Sequence, residues 1–319
     1  MSAEADLAGA GQIGTGTRGR SAKPGAKRVK GATLWFWVFV GPFTAGLLIF
    51  AVVPIIWGLI LSFFESQNTV SPQHFVGFQN YVDMLKDSAF VDSLKVFTIF
   101  AIFIIPLTFA LALFLAVLVN QITFMRTFFR SVFFLPTAVS YVVASLIWKQ
   151  GIFNNDGLAN HVTSGLGGSD QSWLSSQHPP LYWIPLVTVR LWLQLGFYMI
   201  IFLAGLQRIS PDLYEAAYVD GATPGWTTFR FITFPQLRAT SIAVVILNLI
   251  AAYQAFDEFY NLLGGANYGR PPLVYLYSTA LGTSQQYGLG SAGAFILAII
   301  IIIFTLIQGR IFGFGRTDD

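Results

Sequence analysis

The sequence predicts an all-α integral membrane protein with six membrane-spanning helices and a cytoplasmic helix–turn–helix loop between the fourth and the fifth. Three observations carry that expectation. Hydrophobic residues make up 55% of the chain and charged residues 10%, whereas soluble domains carry about a quarter charged residues. The apolar residues gather into six runs, long enough for helices that cross about 30 Å of hydrocarbon at about 1.5 Å per residue. Finally, the basic residues fall unevenly on the two sides that such a threading creates.

Taken in order, residues 1–33 are rich in Gly, Ala and Ser and carry Arg18, Arg20, Lys23, Lys27, Arg28 and Lys30. They read as a disordered basic tail, either a topology signal or a contact for anionic headgroups. So long a polar stretch before the first apolar residue argues against a signal peptide. The first span, 34–64, contains Pro42 and Pro54, which need local backbone compensation. A polar segment from Glu65 to Ser93 leads to the second span, 96–119, which holds Pro106. The third, 131–148, opens with Phe133-Phe134-Leu135-Pro136. A Gly-rich loop from Gln150 to Pro180 precedes the fourth, 182–206, with Arg190, Gln194 and Tyr198 inside it. The fifth, 240–263, holds Asn248 and ends in Phe256-Asp257-Glu258-Phe259-Tyr260; the sixth is 289–311, and 312–319 is a short tail.

Six spans put both termini on one side. On that side lie the six cations of the tail, Arg126, Arg130, Arg208, Arg230, Arg238, Arg310 and Arg316, against Lys86, Lys95, Lys149 and Arg270 on the other. The excess of Lys and Arg marks the cytoplasm, so both termini and the loop 207–239 are expected there.

That loop is longer than a turn needs. Pro211 can start a helix, and Leu213, Ala216, Ala217, Tyr218 and Ala222 give it apolar contacts. Gly221 interrupts it, Thr223-Pro224-Gly225 makes a turn, and Thr227 to Ile232 can resume a helix.

Several chemistries are excluded. The chain has no Cys, so neither a disulfide framework nor a thiolate metal site is possible. His74, His161 and His178 sit in predicted loops without ligand spacing. Gly264-Gly265-Ala266-Asn267-Tyr268-Gly269-Arg270-Pro271 lacks the Lys and Ser/Thr of a phosphate loop and reads as an external turn. The basic residues form no nucleic-acid patch, and no nucleophile–base pair stands out.

The loop residues Glu215, Ala216, Ala217, Asp220, Gly221, Ala222, Phe229, Ile232, Pro235 and Leu237 resemble the EAA loop in the membrane subunits of bacterial binding-protein-dependent ABC importers. Ten residues lie between Gly221 and Ile232, where the family usually has nine, and Phe234 and Ala239 stand where many members have Leu and Pro. The resemblance extends to Val76-Gly77-Phe78-Gln79-Asn80-Tyr81, Phe133-Phe134-Leu135-Pro136, Phe153-Asn154 with Gly157 and Asn160, and Phe256-Asp257 with Gly264-Gly265. Together these cover about Trp35 to Ile311 and are similar to the carbohydrate branch, specifically the first permease of the maltose- and glycerol-phosphate-type systems.

The resemblance implies the type I importer permease fold and a set of partners: a second, homologous permease, two ATP-binding cassette subunits that hold ATP and Mg, and an extracytoplasmic binding protein that delivers a carbohydrate. No cofactor is then expected in this chain. Glu215, Ala216, Ala217, Asp220, Gly221 and Ala222 would dock on an ATPase subunit. The two alanines permit close approach, and Gly221 either accepts a bend or backbone contact that a Cβ would block or simply ends the helix.

Polar residues at membrane depth are costly. Gln194 and Tyr198, four apart on one helix face, together with Asn248, Tyr141 and Gln254, are candidates for a sugar path through the fourth and fifth spans, as the resemblance implies. Amides and phenols suit hydroxyl recognition, and aromatic rings can stack on sugar C–H faces. The alternative for each is a hydrogen bond between helices. Arg190 is either paired or snorkelling; the sequence does not name its partner.

The expected function is therefore the translocation subunit, without its own ATPase site, of an ATP-driven sugar importer working by alternating access. The same architecture could import a polyol, glycerol phosphate or an oligopeptide. An ion-coupled secondary carrier would want carboxylates in the middle of its spans, where this chain has none, and a membrane enzyme would want a catalytic constellation. The cation asymmetry generates a topology test. A reporter fused after Phe314 is expected in the cytoplasm and one near Gly167 outside; Gly167 on the cytoplasmic side would overturn the six-span arrangement.

Overall fold

A computed structural model describes residues 32–311; the expected tails, apart from residues 32 and 33, lie outside the described residues. α1 (Ala32–Leu47) runs through a π-helical turn, Leu48–Val52, into α2 (Val53–Leu61). Two short strands, β1 (Phe64–Glu65) and β2 (His74–Phe75), pair antiparallel with Phe64 opposite Phe75. α3 (Gln79–Lys86) and α4 (Ser88–Gln121) follow. Then come α5 (Arg126–Phe134), a 3-10 turn (Leu135–Ala138), α6 (Tyr141–Ile147), a π turn (Trp148–Ile152), α7 (Leu158–Gly165) and α8 (Trp183–Leu206). The loop after α8 holds α9 (Pro211–Val219), α10 (Trp226–Thr228), a π turn (Phe229–Thr233) and α11 (Phe234–Gln236). α12 (Arg238–Tyr253), α13 (Asp257–Leu263), α14 (Pro272–Leu281) and α15 (Tyr287–Ile311) complete the order.

Among the described residues, four helical stretches are long and apolar enough to cross a membrane: Leu34–Leu61, Ser88–Gln121, Trp183–Leu206 and Tyr287–Arg310. They coincide with the first, second, fourth and sixth expected spans. The other two expected spans are not single straight helices. The third becomes Arg126–Ala138 and Tyr141–Ile152, bent by 94°. Pro136 sits in the 3-10 turn, and Val139 and Ser140 adopt extended backbone, so the helical ladder stops there. In the fifth, helix α12 ends at Tyr253, Phe256 leaves helical geometry at φ −139°, and α13 starts afresh at Asp257. At its N-terminal end α12 meets Trp226–Gln236 at 71°. Counting each bent pair as one span brings the number to six.

The chain divides into two compact units, Met1–Pro54 and Ile55–Asp319. In the first, α1 and the π turn present apolar side chains outward, Phe39, Phe43 and Phe50 among them. In the second, α4 and α8 form the spine. One core cluster joins Phe97, Phe100 and Ile104 of α4 to Leu186, Val189 and Leu193 of α8, with Phe259 and Leu262 of α13. The other joins Ala112 and Ala116 of α4 to Met199, Phe202 and Leu203 of α8, closed by Leu237 and Val244. Small residues four apart on α4 let the two backbones approach closely, the packing that helices use in lipid. On α15, Ile299, Ile302, Ile303 and Leu306 stay exposed at helical spacing, an apolar stripe suited to hydrocarbon.

α8 also packs tightly against the segment that ends α5. A Cβ on Gly196 would collide with the Phe133 carbonyl and the Phe134 Cα, which are backbone atoms and cannot rotate away. Gly196→Val should therefore lower stability by about 1–3 kcal/mol or more. The expected readouts are reduced yield in membranes and a lower melting temperature of the detergent-solubilised protein. Gly165→Val, where no atom lies within 4 Å, is the control that should change neither.

Candidate functional site

The 94° bend swings α6 beside the middle of α8, and a cavity of about 280 Å³ opens between them. Tyr141 of α6, Gln194 and Tyr198 of α8, and Thr137 supply its polar lining; Leu193, Phe197 and Leu247 supply apolar surface. Two successive turns of α8 thus present an amide and a phenol on one wall. A second phenol comes from an element more than 50 residues earlier in the chain (Tyr141 to Gln194). Hydroxyl and amide groups set among apolar side chains are the surface that a polyhydroxylated molecule with C–H faces requires. The size lies at the lower end of small-molecule sites.

Of the five residues expected on a solute path, the structure brings these three together and leaves two apart. Asn248 is fully buried and turned toward α4, where its Nδ2 donates to the Ile105 carbonyl at 3.4 Å. It is not among the cavity's lining residues. The helix-to-helix hydrogen bond, the alternative open to any polar residue in a span, is what the geometry gives it. Gln254 is exposed at the break after α12 and also lies outside that lining.

Arg190 finds the partner that the sequence did not name. Its guanidinium donates to the Glu258 carboxylate and to the Ala251 carbonyl, and its Nε donates to Gln194 Oε1 at 3.0 Å. It also lies over the Phe100 and Tyr141 rings, 5.8 and 5.7 Å from their centroids. Arg190 is 3% exposed and Glu258 1%, the one buried ion pair among the described residues. The helix break explains the geometry. Past Tyr253 the Gln254 N–H bonds to Ile250 and the Ala255 N–H to Ala252. The Ala251 carbonyl is thereby left without its helical donor, and Arg190 supplies one. Glu258 sits in the first turn of α13, where a helix N-terminus favours negative charge. The only sequence signal was a lone Arg at membrane depth; a partner 68 residues away leaves no local trace.

At the other end of α8, the loop 207–237 builds α9. The Ser210 side chain caps the helix by accepting from the Asp212 N–H at 3.3 Å, and Pro211 occupies its first turn. The helix closes with the Gly221 N–H on the Tyr218 carbonyl at 3.1 Å and the Ala222 N–H on the Ala217 carbonyl at 2.9 Å. Gly221 has φ +87° and nothing in this chain within 4 Å of where a Cβ would stand. Of the two roles the sequence allowed it, ending the helix is the one this chain's own geometry requires. The Tyr214 hydroxyl pairs with Thr233 Oγ1 at 3.2 Å, tying α9 to the returning segment, and Thr228 Oγ1 donates to the Thr223 carbonyl at 2.9 Å, closing the turn between them. Glu215, Ala216, Asp220 and Gly221 are exposed, and Ala217 and Ala222 are half-buried. The apolar Leu213 and Val219 of the same helix are also exposed, and Tyr218, half-exposed, lines a cavity with Tyr214 and with Phe109 and Leu113 of α4.

Two other short motifs prove to be braces. Asn80 Nδ2 donates to the Ser62 and Phe64 carbonyls at 3.0 and 2.9 Å, locking α3 to the end of α2. Asn160 is buried and makes four bonds, two from its amide to the carbonyls of Asn155 and Gln171 and two to its Oδ1 from the Gln171 N–H and the Trp173 indole. It holds the loop after α7 in shape.

Known proteins share this sequence and fold. The chain is 30% identical over 280 residues to the probable starch degradation products transport system permease protein AmyD of Thermoanaerobacterium thermosulfurigenes, covering 86% of this chain and 92% of that protein. It is 30% identical to the arabinooligosaccharides transport system permease protein AraP of Bacillus subtilis (strain 168), covering 87% and 88%. A chain in the crystal structure of a bacterial ABC transporter involved in the import of the acidic polysaccharide alginate superposes with a TM-score of 0.78 at 22% identity, covering 89% of this chain and 96% of that one. A second structure of a bacterial alginate ABC transporter, in complex with an alginate pentasaccharide-bound periplasmic protein, gives 0.76 at 22% identity, covering 87% and 93%. Residues 33–312, which take in all but the first residue of the described fold, match a single family. On that match and on these relatives, the chain belongs to the binding-protein-dependent transport system inner membrane components.

Proposed function

We infer that this chain is a permease subunit of an ATP-driven ABC importer and that its solute is a sugar, a mono-, di- or oligosaccharide. The observation that carries the solute class is the cavity walled by Tyr141, Gln194 and Tyr198, in a family whose similar members are named for starch products and arabino-oligosaccharides. In this reading the chain crosses the cytoplasmic membrane six times with both termini inside, the third crossing made by the bent pair around Pro136 and the fifth by α12 with α13. It pairs with a second permease to enclose the path. An external binding protein delivers the sugar, and two ATPase subunits that hold ATP and Mg dock beneath the two cytoplasmic loops. ATP-driven closure of those subunits biases the permeases between inward- and outward-facing states; no bond in the solute is made or broken.

The ion-coupled alternative finds little support. Glu258 is the one buried carboxylate among the described residues, and Arg190 occupies it. A coupling ion needs a carboxylate free to receive it.

The mechanical part of the reading rests on α9. Its cap, proline and closing turn hold it as a preformed helix, and its tie from Tyr214 to Thr233 makes the helix and the returning segment move together. A rigid helix seated in a groove transmits a displacement that a flexible loop would absorb. Glu215, Ala216, Ala217, Asp220, Gly221 and Ala222 are accordingly proposed as the ATPase contact.

Reconstitution in proteoliposomes with the second permease, the ATPase and the binding protein tests the whole proposal. Labelled sugar should accumulate only with ATP and the binding protein together. A β-branched side chain at the positive φ of Gly221 costs about 1–2 kcal/mol. Gly221→Val should therefore reduce co-purification of the ATPase or uncouple its hydrolysis from uptake, and Glu215→Ala should weaken the same contact. Wild-type assembly and wild-type stimulation in both would show that the loop is not the coupling element. For the cavity, Gln194→Ala and Tyr198→Ala should impair uptake or shift sugar preference in a fully assembled complex. Asn248→Ala should leave preference unchanged and lower the melting temperature by a few degrees, since its amide bonds α4. A changed preference in Asn248→Ala with none in the other two would move the path elsewhere.

A further inference from the structure

The Arg190–Glu258 pair does more than satisfy two buried charges, because one of its contacts reaches the cavity wall. Arg190 Nε donates to Gln194 Oε1 at 3.0 Å, and Gln194 lines the cavity. Guanidinium is a donor at every nitrogen and can accept from nothing, whereas a glutamine amide has a donor end and an acceptor end. A glutamine beside a fixed guanidinium is therefore left one orientation: carbonyl oxygen toward the arginine, NH₂ away from it. The guanidinium itself has little freedom. Glu258 and the Ala251 carbonyl take its terminal nitrogens, and the Phe100 and Tyr141 rings flank it.

We propose that Arg190, anchored by Glu258, is a positioning residue for solute recognition: it fixes the amide of Gln194 so that the path presents an N–H donor at that point. The proposal rests on the cavity being the sugar path and adds a specificity to it. A donor fixed toward the cavity selects an oxygen acceptor, such as a hydroxyl, ring or glycosidic oxygen. Tyr141, which neighbours both Arg190 and Gln194, is held at the same wall. Recognition by fixed donors discriminates more sharply than an apolar pocket, because a solute lacking the matching oxygen leaves a buried donor unpaired.

The test must separate positioning from simple structural support. A buried pair can be replaced on both sides by apolar residues of similar volume without loss of stability, whereas removing one partner strands a charge. Arg190→Met/Glu258→Met, in the complete complex with second permease, ATPase and binding protein, is therefore the informative variant. Uptake is measured with whichever of labelled maltose, trehalose, lactose and maltotriose the wild type carries fastest. The expected result is normal assembly, a half-saturating concentration raised roughly five- to tenfold, and a smaller effect on maximal rate. In a Gln194→Ala background the same double substitution should add nothing, since the group it positions is gone. Gln194→Glu, which pairs with Arg190 but offers no donor, should reproduce the loss.

An assembled double variant with wild-type half-saturation would overturn the positioning role, as would a further loss in the Gln194→Ala background. Should the double variant fail to assemble, Gln194→Glu in the otherwise intact complex decides: unchanged uptake overturns the proposal. If Gln194→Ala and Gln194→Glu both leave uptake untouched, or if the wild type carries none of the four sugars, the underlying reading of the cavity or of the solute fails first.

Discussion

A guanidinium enclosed by a membrane-spanning bundle has to be compensated within reach of its own side chain, and the arrangement around α8 follows from how Arg190 is compensated. Stranding such a charge costs several kcal/mol. The chain meets it with a carboxylate from the first turn of α13 and with a carbonyl at the frayed end of α12. Those two partners can be adjacent only because the helix breaks between Tyr253 and Asp257. An unbroken helix would engage the Ala251 carbonyl internally. Charge and break thus satisfy each other. Phe100 and Tyr141 extend the cluster to α4 and α6, so one side chain ties together the elements that wall the cavity.

Packing does the rest of the positioning. α4 and α8 meet along Ala112, Ala116, Met199 and Phe202, and Gly196 lets the end of α5 lie directly on α8. In lipid there is no hydrophobic force between helices to draw them together, so close backbone approach and dispersion contacts carry the association. The 94° bend that follows is what turns Tyr141 toward Gln194 and Tyr198 instead of letting it continue along the span. The cavity is a consequence of an interrupted helix held at a fixed distance from an uninterrupted one.

The loop after α8 is governed by different physics. Its shape comes from local chemistry: a serine cap, a proline in the first turn, a left-handed glycine at the end and two hydroxyl bonds within the loop. Its helix keeps Leu213 and Val219 exposed, although a surface helix of an isolated protein would turn such residues inward. The proposed contact residues Glu215, Ala216 and Ala217 lie on the same short helix, and Asp220, Gly221 and Ala222 follow directly after it.

What the sequence alone determined is what short-range chemistry determines. Four of the six apolar runs became long helices, three close to their expected limits and the second beginning eight residues early at Ser88, since about twenty apolar residues in lipid have few alternatives to a helix. The start and stop of α9 were legible because Pro211 and Gly221 act on their immediate neighbours, while the Ser210 cap emerged only from the structure. Gln194 and Tyr198 shared a helix face by spacing, and they share the cavity. Tertiary structure decided the remainder. Within a run apolar on every side, the hydropathy pattern does not say which face turns inward, so it could not separate Asn248, which bonds α4, from Gln194, which lines the cavity. Nor did the hydropathy pattern show that 131–148 and 240–263 break: Pro136 is a local signal for the first break that an unbroken apolar run conceals, while the residues from Gln254 to Phe256 at the second are compatible with a helix. The pairing of Arg190 with Glu258 lay furthest from reach. It joins two helices far apart in sequence, and long-range electrostatic complementarity exists only once the chain has brought both charges out of water to the same place.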